Sequence, residues 1–154
     1  MYSKTLECLP IGICSWNYEI TDGIENYATA KLTHFGEKGS ITANEEQFTI
    51  RKPGIFHGGW TMNRGDVSIF RANKTNPFTR TVEIYGGLEN FELKGTSPFT
   101  REMELNGTGV SCVLAPQHPF TRRATISGNW NDFRLVAFGF WLTAMSWRRA
   151  SQSS

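Results

Sequence analysis

The tetrapeptide Pro-Phe-Thr-Arg occurs three times, in NPFTRTVEIYG from Asn76, SPFTREMELNG from Ser97 and HPFTRRATISG from His118, at a constant interval of 21 residues. Laid out as extended chain, where successive side chains point to opposite faces, each phrase alternates without a slip. Phe78, Arg80, Val82 and Ile84 share one face in the first phrase; Phe99, Arg101, Met103 and Leu105 share it in the second; Phe120, Arg122, Ala124 and Ile126 share it in the third. Polar residues take most of the other face. The pairs Gly86-Gly87, Asn106-Gly107 and Gly128-Asn129 follow, and they supply the positive φ angles that tight hairpins need. The first two pairs lead into the returning strands ENFELKG and GVSCVLA, and then into short loops that end in proline. The unit is strand, turn, strand, loop, with Pro-Phe-Thr-Arg opening the up-strand. Such a meander closes into an antiparallel barrel.

Weaker copies of the same grammar lie upstream. VSIFRANKTNP follows an Arg64-Gly65-Asp66 hairpin turn, and GGWTMN, EQFTIRKPG, GSITAN and NYATAKLTH add further strands. These make about ten strands, or eleven to twelve if PIGICSWNY contributes one. After the third repeat the pattern changes to NDFRLVAFGFWLTAMSWRRA. Asn131 or Asp132 is suited to cap a helix, Arg148 and Arg149 suit its C-terminal end, and the stretch between is apolar on nearly every side. A helix apolar all round must be enclosed, and the barrel is the available enclosure. The expected architecture is mostly β: a closed antiparallel meander barrel over about residues 26–150 around a hydrophobic C-terminal helix at 133–149, in a single domain spanning 1–154. Residues 1–25 are left as an N-terminal extension or an extra strand.

Composition narrows the function classes. A formal charge of +2 on 154 residues gives no nucleic-acid footprint. Cys8, Cys14 and Cys112 are odd in number and lack CxxC spacing, which argues against a disulfide framework and a zinc site, and Cys112 reads as a buried hydrophobe. His34, His57 and His118 are scattered, and no metal or cofactor is expected. The N-terminus lacks a convincing cleavage site, so no signal peptide is read. The apolar run Leu135–Trp147 is 13 residues long, against about twenty for a bilayer-spanning helix. The expected location is cytoplasmic, with peripheral membrane association as an extension. No nucleophile elbow or phosphate-cradling glycine loop stands out; HGGW at His57 has the letters of an oxyanion loop without its α/β context. A non-enzymatic protein is expected.

A barrel of repeated strands from Asn76 to Ile126 around the helix Phe133 to Trp147 resembles the tubby C-terminal-like architecture, a group that includes phospholipid scramblases and plant LURP-one-related proteins. HPFTRRATI…FGFWLTAMSWRRA is also similar to the ending of small bacterial proteins. The resemblance implies a lipid-binding barrel, since tubby-type proteins bind phosphoinositide headgroups through basic side chains on the barrel exterior. It also implies, for scramblase-like members, calcium near the helix; Asp132 alone does not make the oxygen-rich loop that calcium takes.

The repeat arginines are the unusual feature, because they fall on the apolar face of their strands. Either each snorkels to the rim, bonds backbone carbonyls or a neighbouring carboxylate and packs on its own Phe, or Arg80, Arg101 and Arg122 converge on an anionic ligand at the barrel mouth. With Arg123, Arg148 and Arg149 they form the candidate anion- or lipid-binding set. The expected partner is anionic phospholipid; the alternative is a protein–protein interaction or structural module with no small-molecule site.

Overall fold

Twelve strands follow one another round a single closed antiparallel sheet in the computed structural model, which describes residues 3–13, 15–52, 59–74, 79–118 and 121–152. In chain order they are β1 (Lys4–Pro10), β2 (Tyr18–Thr21), β3 (Asn26–Leu32), β4 (Gly39–Ala43), β5 (Glu46–Arg51), β6 (Gly59–Arg64), β7 (Val67–Lys74), β8 (Thr81–Gly86), β9 (Glu89–Gly95), β10 (Met103–Gly107), β11 (Val110–Pro116) and β12 (Ala124–Trp130), followed by α1 (Phe133–Gln152). Each strand pairs with its sequence neighbour, and β12 closes the ring on β1, with Leu6 opposite Ile126 and Cys8 opposite Ala124. Closure removes every sheet edge.

The expected barrel and helix are both present, with four differences in detail. Residues 1–25 supply two full staves, β1 and β2, and most of PIGICSWNY is the connection between them. The strands also begin after the repeat phrase, at Thr81, Met103 and Ala124. The second phrase is a turn, because Ser97 Oγ accepts from the Phe99 amide at 3.1 Å and the Thr100 amide donates back to the Ser97 carbonyl at 3.4 Å. Phe99 therefore faces solvent, 94% exposed, where the alternation placed it inside. Phe78 and Phe120, like Cys14 and His57, lie outside the described residues. From Val82, Met103 and Ala124 onward the alternation holds.

The turns are displaced too. Gly107 stays in β10, and the β10–β11 reversal uses Gly109 at φ 74°. Gly128 is not a turn residue: it sits inside β12 opposite Cys112, where a Cβ would stand 2.2 Å from the Ser111 carbonyl oxygen. Close approach of β11 and a φ of 142°, not chain reversal, are what require glycine there. The helix also runs past Arg149 to Gln152.

Helix α1 threads the barrel. Asp132 starts it, its Oδ1 accepting from the Arg134 amide at 3.0 Å. Thirteen of its residues are buried, including Phe138, Phe140 and Trp141 on different sides. Phe138 stacks on Phe70 at 6.3 Å between centroids, and Phe140 meets the edge of Tyr18 at 4.9 Å. Its two tryptophans find backbone carbonyls outside the helix: Trp141 Nε1 donates to Lys31 O of β3 at 3.0 Å and Trp147 Nε1 to Arg101 O of the β9–β10 connection at 2.8 Å. Cys8 and Cys112 are buried in the same core, and burial pushes the Cys112 thiol up to about 12.

The two ends of the barrel differ. At one, the strands are joined by short turns, including Asn44 and Glu45 with φ of 51° and 64°, and the helix enters there. At the other, the connections β1–β2, β3–β4, β5–β6, β7–β8, β9–β10 and β11–β12 are longer, and the C-terminal turns of α1 emerge among them.

Candidate functional site

All six candidate arginines lie at the long-loop end: Arg80, Arg101, Arg122 and Arg123 in the connections, Arg148 and Arg149 on the last turns of α1. Lys38 and Lys52 join them, against Glu37 and Glu102 as the acidic residues of the described loops. The turns of the other end carry Asp22, Glu25, Glu45, Asp66 and Asp132; its basic residues are Lys4 and Arg64 at strand ends and Arg134 on the first turn of α1, and the two arginines are paired with Glu46 and Asp132. A chain of formal charge +2 is therefore polarised, with a basic balance at one rim and an acidic balance at the other.

Three of the arginines are structural forks. Arg80 donates to the carbonyls of Thr100, at 2.7 Å, and Ser97. Arg122 donates to the carbonyls of Ile13 and Ser15, and lies over the Trp16 ring at 5.3 Å. Arg148, 8% exposed, donates to Thr33 O and Gly36 O, each at 2.6 Å. Each fork thus grips a different neighbouring loop: β9–β10, β1–β2 and β3–β4. This realises the carbonyl-bonding alternative for Arg80 and Arg122. A carbonyl satisfies a guanidinium's donors without cancelling its charge, so the forks leave the rim positive.

Arg101, Arg123 and Arg149 are exposed. Arg149 pairs with Glu37, which also accepts from Lys52 Nζ at 2.9 Å, and both cations lie over the Trp60 ring, at 5.9 and 5.4 Å. Burial lowers the Arg148 and Arg149 pKa values from the usual guanidinium range. Beside this cluster, a crevice of about 140 Å³ between α1 and the wall is lined by Lys74, Arg80 and Arg149 over Val82, Met103 and Met145. Trp60 lines it as well, and its buried Nε1 has no hydrogen-bond partner among the described residues.

The same loops carry apolar residues that sequence reading did not single out. Ile13, Phe35 and Phe99 are 91%, 83% and 94% exposed, one on each loop held by a fork. Nothing in the local pattern marks them, because Phe99 reads as an inward residue and the β1–β2 loop reads as strand. Among the described residues no three His, Cys, Asp or Glu side chains cluster as metal ligands, and no helix is long and apolar enough to cross a membrane.

No protein-family model, no curated protein and no solved structure matches the chain. Fold and rim together define a class: a helix-filled antiparallel β-barrel with one basic, long-loop end.

Proposed function

We propose that the chain is a non-enzymatic binding module, of the tubby-like or scramblase-like kind, that docks its long-loop rim on anionic phospholipid headgroups at a membrane surface. The observation that carries this reading is the segregation of charge, with Lys38, Lys52 and the six arginines on one rim and the acidic turns on the other. Such a field orients the molecule toward an anionic surface before contact and adds roughly 1 kcal/mol for each basic residue near it. The helix that fills the barrel supports a surface mode of binding over a hollow carrier, which needs an empty interior. A protein partner is the alternative reading of this rim, whose exposed apolar residues Ile13, Phe35 and Phe99 are carried on three loops.

Co-sedimentation with phosphatidylcholine vesicles, with and without phosphatidylserine, at low and near-physiological salt tests the reading. Binding that requires phosphatidylserine and weakens with salt is expected. Charge reversal at Arg101→Glu and Arg123→Glu should reduce it. Absence of binding under every condition would remove the proposal.

A further inference from the structure

Resting on that reading of the rim, we infer that the contact is more than electrostatic: Ile13, Phe35 and Phe99 insert into the interfacial layer of an anionic bilayer, on loops held in place by Arg122, Arg148 and Arg80. Three observations converge. The three side chains are among the most exposed apolar residues of the chain. They share the basic rim, with Lys38 three positions from Phe35 and Arg101 two from Phe99. And each is fixed by a guanidinium fork on its own loop: Arg80 bonds the carbonyls of Ser97 and Thr100, which bracket Phe99, and Arg148 those of Thr33 and Gly36, which bracket Phe35. Arg122 bonds the Ile13 carbonyl itself.

The forks have a physical consequence. A loop that must order as it binds spends binding energy on lost conformational freedom, whereas a loop already pinned at two carbonyls does not. Separate apolar tips interspersed with cations match a bilayer interface, where acyl chains receive the tips and phosphates meet the cations. Ile24 and Leu88, 92% and 104% exposed, lie at the acidic end and form a built-in contrast.

The experiment compares wild type, a tip variant (Ile13→Ser, Phe35→Ser, Phe99→Ser), Phe99→Ser alone, and a control (Ile24→Ser, Leu88→Ser). Each is titrated with phosphatidylcholine–phosphatidylserine vesicles and injected beneath a monolayer of the same lipids. The tip variant should lose affinity by about tenfold or more, since each buried tip contributes on that order. It should also lose monolayer insertion, with an unchanged melting temperature. Phe99→Ser should lose part of both, and the control should match wild type. If the tip variants bind and insert like wild type while charge reversal abolishes binding, the insertion inference falls and the charged rim stands. If wild type binds no vesicle, both fall, and the rim becomes a face for an acidic protein.

Discussion

Gly95 provides the space in which the Arg80 guanidinium lies: a Cβ on Gly95 would come within 2.5 Å of Arg80 Nη2 and 2.6 Å of its Cζ. The Gly95 amide also donates to the Arg80 carbonyl at 3.2 Å, so the last residue of β9 is fitted to both ends of the arginine. Gly95→Ala is expected to dislodge the fork and to cost about 1–3 kcal/mol, from two charge-assisted hydrogen bonds. In an Arg80→Met background the same substitution should cost much less, because the atoms it meets are gone. A double-mutant cycle by urea denaturation measures the difference, and additivity would show that Gly95 does not serve Arg80.

Arg148 distinguishes guanidinium from ammonium. Its two Nη atoms reach two carbonyls three residues apart, Thr33 and Gly36, a geometry that a single lysine nitrogen does not reproduce. Arg148→Lys should lower stability by about 1–2 kcal/mol and expose the β3–β4 loop to faster proteolysis, although the charge is unchanged. Equal cleavage rates for the two proteins would refute the role.

The helix is locked to the wall through Trp141. A Cβ at Gly39 would lie 1.9 Å from the Lys31 carbonyl oxygen and 2.7 Å from Trp141 Nε1, the partners of the hydrogen bond that anchors the helix to β3. Gly39→Ala is therefore expected to cost about 3 kcal/mol or more, since the backbone oxygen cannot yield without moving β3. Thermal melting with near-ultraviolet circular dichroism reads both the loss of stability and any change around the tryptophan.

Alkaline pH should unfold the protein by linkage. Burial holds the Cys8 and Cys112 thiols above their ordinary 9.0, Cys112 at about 12, and raises the Tyr18 phenol above 10.0 despite the opposing field of Arg122. In the unfolded chain these groups lose their protons first. Stability from them is complete below pH 9.0 and declines as pH rises toward about 12. Denaturation midpoints at about pH 8 and about pH 11 should differ, and Cys112→Ala should flatten the slope. A flat profile would contradict the burial of these groups.

The sequence by itself determined the class of fold. Period-two alternation from Val82, Met103 and Ala124, with glycine-rich reversals between, admits little besides a meander, and a helix apolar on every side needs a wall around it. It also marked the six arginines. What it could not show was how far the extended chain reached back into each repeat. Local hydrogen bonds of Ser97 turned one Pro-Phe-Thr-Arg phrase into a loop, and a side chain counted as inward came to face solvent. Nor could it show that Arg80 serves Ser97 and Thr100, or that Arg148 serves Thr33 across 115 residues. Those pairings, and the separation of basic from acidic ends, depend on which loops barrel closure brings to one rim. That is set by strand order and register across the whole sheet, so only the tertiary structure decided it.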